Sequence, residues 1–208
     1  PPKVATVRRW REQAPPDFRF AIKAWQLITH EASAPTYRQP NLLLDGPKEN
    51  YGLFQPTPQV MDAWERTKET ALALGASVVL FQSPPNFAPT EQNITNLVTF
   101  FQKADRAGLA FAWEPTVAWP EKVVWKLCQG LRLVYAQDPF ATRSTVSSGA
   151  AYLRLQGRNG YGYQHSDKDL QQLAAICRGY QTAYCLFNNV SMWDDALRLK
   201  EILGEEQE

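Results

Sequence analysis

The side chains that could do chemistry in this chain recur at regular stations, and the densest is Ala151-Tyr-Leu-Arg-Leu-Gln-Gly157, followed closely by Tyr163 and Ser166. Tyr152, Leu153 and Leu155 supply the bulk of a buried strand, and Gly157 ends it. Inside that strand sits Arg154, with Gln156 at its exit. A guanidinium there is costly unless a carboxylate, carbonyl or ligand meets it, and a structural ion pair satisfies that need as well as a ligand does. Lys23, Glu114, Asp138 and Arg154 form the strongest chemical set. Two carboxylates could act as acid and base or hold a metal through oxygen. The two cations could bind phosphate or carboxylate, or simply neutralise the acids. His30 follows the lysine within reach of the same edge and is the candidate base, although a lone histidine more often serves as a loop hydrogen-bonding residue. Catalytic roles therefore fall to Glu114, Asp138 and His30. Ligand-binding roles fall to Lys23, Gln82, Arg154, Gln156, Tyr163, Asn188 and Asn189.

Other motifs carry less. There are two histidines, neither in an H-x-x-x-H pattern, so no metal set is indicated. His165 reads as the residue preceding a helix cap at Ser166. The run Gly157-Arg-Asn-Gly160-Tyr-Gly162 lacks the Walker lysine and the dinucleotide spacing, and reads as a flexible loop over a mouth, with Arg158 poised to touch an anion. Trp113, Trp119 and Trp125 could stack on sugar or base rings, but such aromatics belong more often to a core. No nucleophile elbow or activated-cysteine signature is present, and no cofactor is identified.

The elements that must position these groups alternate. A helix is predicted over 4–13, stopped by Pro15-Pro16, and a strand over Phe18–Ala24. Residues 31–58 form a long proline- and glycine-rich connection, of the kind that is functional or mobile. Thr57-Pro58 opens a helix running to Leu74 and ending at Gly75. Strands follow at 77–82, 109–114, 131–136, 151–157 and 183–187. Helices fall between them from Thr90 to near Gly108, over 120–129 with Gly130 as cap, from a Ser166–Asp169 capping box, and from Ser191 to about Leu203. Six strands alternating with helices or connections imply parallel strands and an α/β fold. Lys23, Gln82, Glu114, Asp138, Gln156 and Asn188 stand one at each strand end, the edge that holds ligands in parallel sheets and α/β barrels.

Composition narrows the function. The 208 residues suit one domain; 22 basic against 21 acidic side chains leave a formal charge of +1, no footprint for wrapping a polyanion. Three cysteines with no close pair in sequence suggest a reducing, cytoplasmic setting. No apolar run approaches the roughly 18 residues that span a bilayer.

Phe18-Arg-Phe-Ala-Ile-Lys-Ala24 with Thr29-His30, then Leu80-Phe-Gln-Ser-Pro-Pro-Asn-Phe87, Tyr152-Leu-Arg-Leu-Gln-Gly157 and Phe187-Asn-Asn189 together resemble the YecE-like proteins, domain of unknown function 72. The resemblance covers nearly the whole chain in order. It implies a TIM-barrel-like fold, with two further strands upstream of Pro1 that would complete a barrel of about eight. Two departures stand out. Gln156 occupies the place where the family commonly has histidine, and glutamine cannot exchange protons near neutrality. Glu114-Pro115-Thr116 keeps the family's acid but not its arginine. The leading expectation is an enzyme or former enzyme acting on a small polar or phosphorylated ligand at the strand C-terminal mouth, with a small anionic or sugar-like molecule as its partner. The alternatives are a nucleic-acid-binding or processing module, disfavoured by charge, and a non-catalytic ligand-binding scaffold, suggested by Gln156.

Overall fold

The structure, a computed structural model, describes residues 1–38, 42–141 and 149–205. These residues gather into two compact units, Pro1–Leu133 and Val134–Glu208. Strand and helix alternate through both, and the strands pair in parallel within each, the (β/α) repeat of a TIM-barrel-like α/β protein. Six strands are present among the described residues, as the sequence pattern leads one to expect.

The first unit begins with α1 (Val4–Gln13) and β1 (Phe20–Lys23), followed by the short α2 (Gln26–Thr29). Among the described residues of the long connection there are two 3-10 turns and no strand. Then come α3 (Pro58–Leu74), β2 (Ala76–Gln82), α4 (Glu91–Lys103), β3 (Ala110–Glu114) and α5 (Glu121–Leu131). Thr57 and Thr90 cap α3 and α4 by accepting the N–H groups of Val60 and Asn93, which satisfies donors that a helix start leaves orphaned. Gly75 ends α3 at φ 68°, a left-handed turn that costs glycine least. β1, β2 and β3 run in parallel, with Gln82 opposite Glu114 at the end of the register. Val78–Phe81 is buried without alternation, as a strand covered on both faces must be. Phe54, Trp64, Phe81, Phe100 and Phe111 fill the space beneath, with ring centroids between Phe81 and the others 5.0–6.4 Å apart.

Two predicted helix ends move. The helix opened by Thr90 stops at Lys103 rather than near Gly108, because Asp105 turns the chain: its Oδ1 accepts the Ala107 N–H at 3.1 Å. Gly130 is not the cap of α5 but lies inside it; Arg132 caps instead, at φ 50°. Its cost is offset by Arg106, whose guanidinium donates to the Leu131 and Arg132 carbonyls, and by buried Leu133, whose N–H reaches the Cys128 carbonyl.

The second unit holds β4 (Val134–Gln137), β5 (Ala150–Leu155), α6 (Asp167–Arg178), β6 (Thr182–Phe187) and α7 (Met192–Glu205). β5 pairs in parallel with both β4 and β6. The capping box appears as expected: Ser166 Oγ accepts the Asp169 N–H and Asp169 accepts the Ser166 N–H. Ala151, Leu153 and Leu155 of β5 pack with Leu170, Leu173, Ala174 and Cys177 of α6 and Leu199 of α7.

Candidate functional site

Lys23, Gln82 and Glu114 are the last residues of β1, β2 and β3, and Asp138, Gln156 and Asn188 directly follow β4, β5 and β6. Parallel pairing therefore puts three of these on the C-terminal edge of each unit's strands.

In the first unit the edge is closely knit. The exposed Lys23 ammonium donates to the Gln82 amide oxygen across neighbouring strand ends. Glu114 stands opposite Gln82 and is 7% exposed. Its carbonyl accepts the Ser83 N–H at 2.9 Å, while Ser83 Oγ accepts from the buried Trp113 indole at 2.8 Å. Ser83 thus locks the turn leaving β2 against β3. Trp119 is also buried, its indole donating to the Phe87 carbonyl, whereas Trp125 is 49% exposed.

His30 is delivered to this edge by a clamp. The N–H groups of Gly52, Leu53 and Phe54 donate to the carbonyls of Leu27, Thr29 and Ile28, tying the loop to α2. Gly52 sits at φ 78°, and a Cβ there would lie 1.9 Å from the His30 carbonyl, so only glycine permits the approach. Tyr37 Oη donates to that same carbonyl at 2.8 Å, and His30 Nδ1 shares a hydrogen bond with Thr29 Oγ1 at 2.7 Å. Burial, and then the charge of Lys23, push the His30 imidazole below its ordinary value, which favours a neutral ring. Lys23 also borders a cavity of about 470 Å³ lined by residues of α1, β1 and α3, among them Trp10, Ile22 and Leu74.

In the second unit the acids face inward to donors. Asp138 accepts the Phe140 N–H on one oxygen at 2.9 Å and the Gln156 N–H on the other at 3.2 Å, stitching the exits of β4 and β5. Gln156 and Asn188 are exposed; the Asn188 N–H donates to the Leu155 carbonyl. Arg154, expected to be buried, is half-buried within β5. Gly157, at φ 85°, turns the chain so tightly that a Cβ would meet the Gly160 carbonyl oxygen at 2.5 Å and Tyr163 Cβ at 2.7 Å. Tyr163 Oη donates to Asp169 at 2.6 Å. Burial alone would raise the Asp169 carboxyl, but hydrogen bonds from Tyr163 and Ser166, with the Arg158 guanidinium 2.7 Å away, hold it at about 2.

The pairing of buried His165 with Asp195, in contact with the candidate residue Asn189, is not expected from the sequence. His165 precedes the Ser166 cap as expected, but it is also 1% exposed and its Nδ1 lies 2.9 Å from Asp195 Oδ2. A carboxylate only accepts, so Nδ1 carries the proton. The same oxygen accepts from the His165 N–H and from Asn189 Nδ2, while Asp195 Oδ1 accepts from Arg198. Asn189 Nδ2 also reaches the Tyr163 carbonyl at 2.7 Å. Among the described residues, His165 Nε2 and Asn189 Oδ1 are buried with no hydrogen-bond partner. The signal available was Asp195 itself: with Leu199 and Ile202 it falls on the apolar stripe of α7, where an acid requires a partner. Nothing local names His165 as that partner.

Among the described residues no cluster of three metal-ligating side chains exists, and no helix is long and apolar enough to cross a membrane.

A family model described as a protein of unknown function, DUF72, matches residues 1–208. No curated protein matches the chain. Among solved structures it is similar to a DUF72 family protein from Enterococcus faecalis, with TM-score 0.71 and 15% identity over 98% of this chain and 80% of that one. A DUF72 family protein from Thermotoga maritima gives TM-score 0.67 and 16% identity over 100% of this chain and 80% of that one. A Thermus thermophilus protein, solved after soaking with zinc chloride, gives 0.59 and 14% over 97% and 83%. At these identities the likeness concerns the fold.

Proposed function

The chain belongs to the DUF72 family, and from that premise we propose that it is an enzyme, or the descendant of one, acting on a small anionic or sugar-like molecule at the C-terminal edge of β1–β3. The observation that carries this reading is the grouping there of an exposed ammonium, a histidine favoured in its neutral form, and a buried carboxylate. A lysine at an open edge attracts phosphate or carboxylate oxygens as a point charge. A neutral imidazole beside it can take a proton, and Glu114 is the second proton-transfer group. Gln82 orients the lysine; within the second unit, Arg154 and Asn188 are separate candidates for holding ligand oxygens. The three cysteines, all free thiols, suit a cytoplasmic setting.

A second reading, a binding scaffold without turnover, is favoured by Gln156 standing where the family commonly has histidine and by Asp138 having both oxygens engaged by backbone donors. The test separates the two. Thermal-shift and calorimetric screening with inorganic phosphate, sugar phosphates and small carboxylates is expected to give binding that Lys23→Met weakens at least tenfold, or about 1.4 kcal/mol. Binding with turnover abolished by Glu114→Gln supports the enzyme; binding without turnover supports the scaffold. No binding by any of these ligands defeats both.

A further inference from the structure

The three cysteines are scattered in sequence, but the fold makes a pair of two of them. Cys177 lies in the last turn of α6 and Cys185 in the middle of β6, eight residues apart, with their sulfurs 3.3 Å from one another. The connection explains the meeting. Gly179 and Tyr180 donate to the carbonyls of Ile176 and Cys177, so the chain turns at once and runs back beneath the helix. The sulfurs are in hydrogen-bond contact, and a sulfur–sulfur bond of about 2.05 Å requires an approach of roughly 1 Å, within reach of side-chain rotation.

We propose that Cys177 and Cys185 form a peroxide-sensitive dithiol, a covalent modification site that closes α6 onto β6 on oxidation. The two thiols are unlike. Cys177 is pushed below the usual thiol range by the hydrogen bond from Cys185, which outweighs burial, and by the charge of Arg178. Cys185 is pushed far up by donating that bond and by burial. Cys177 is thus the attacking sulfur and Cys185 the resolving one. In the first step the Cys177 thiolate displaces hydroxide from hydrogen peroxide and becomes a sulfenic acid; that hydroxide takes up a proton as water. In the second the Cys185 sulfur attacks the sulfenic sulfur, its proton leaving with the departing hydroxyl as a second water. Two thiols are oxidised, losing two electrons in all, and one peroxide is reduced to two waters. Cys128 is 1% exposed with its thiol pushed up to about 12 by burial, so it stays reduced and serves as an internal control.

The experiment treats the reduced full chain with hydrogen peroxide, alkylates remaining thiols, and maps tryptic peptides without reduction. Trypsin cuts after Arg178, so the bond would join the 169–178 peptide to the 179–198 peptide, with a mass about 2 Da below their sum. That linked pair, with Cys128 alkylated, is the expected result. In Cys185→Ser the Cys177 sulfenic acid should accumulate and be captured by dimedone, while in Cys177→Ser Cys185 should remain alkylatable. The wild-type map alone decides if either variant fails to fold. The proposal is overturned if both cysteines stay alkylatable, oxidise separately to sulfinic acid, or cross-link between chains.

Discussion

The strand ends of the two units carry the same kinds of residue in different employment. In the first unit an exposed lysine leans on an amide, and a clamped loop brings a histidine under that lysine's charge. In the second, Asp138 at the exit of β4 accepts two backbone N–H groups, and behind it Asp169 of α6 and Asp195 of α7 each accept several hydrogen bonds from their own surroundings. A row of polar residues at strand ends is therefore not one signal but two. Lys23 keeps its charge exposed at the edge of its unit, whereas Asp138 completes the backbone hydrogen bonding that the ends of parallel strands leave open.

The sharpest way to test that contrast is to remove Asp195. Asp195→Ala strands the buried donors of His165 and Asn189, and should lower unfolding free energy in urea by about 3–5 kcal/mol; a loss near zero would mean the inward network is ornamental. Asp169 gives a smaller effect with a pH signature. Its carboxyl is held at about 2 against an unfolded value of 3.8, so its contribution is complete above about 3.8 and is lost as pH falls through the folded value. Asp169→Asn should remove about 2 kcal/mol at neutral pH and flatten the acid limb of the stability curve, measured by denaturation at stepped pH.

How much of this could be read from residues alone differs between the two edges. The alternation of strand and helix, the Thr57, Thr90 and Ser166 caps and the station of Lys23, Gln82 and Glu114 were legible, because each rests on local periodicity or local capping chemistry. The α5 end was not, since Arg106, 26 residues away from Arg132, stabilises a cap that glycine would otherwise fill. His165 with Asp195 and Cys177 with Cys185 were hidden for the same reason: their partnership is created by the turn between elements, and no spacing announces it.

The first unit should respond in the opposite sense. Lys23→Met should alter stability by less than about 0.5 kcal/mol, the usual range for surface positions, while weakening ligand binding at least tenfold; a large loss of stability would make Lys23 structural and erase the contrast. His30 should show the smallest effect. Its folded value is lowered, so the neutral ring stabilises fully above the unfolded value of about 6.5, and that contribution is lost as pH falls through the folded one. The stability of His30→Gln should accordingly be less pH-dependent below neutrality than that of wild type, with no difference above it.

The most direct measurement is a crystal structure of the protein soaked with the phosphate, sugar phosphate or carboxylate that shifts its melting temperature most. Density is expected at the C-terminal edge of β1–β3, with a ligand oxygen in hydrogen-bond contact with Lys23 Nζ and lost in Lys23→Met. Density bound instead at Arg158 in the second unit, or retained unchanged in the variant, would contradict a site at Lys23.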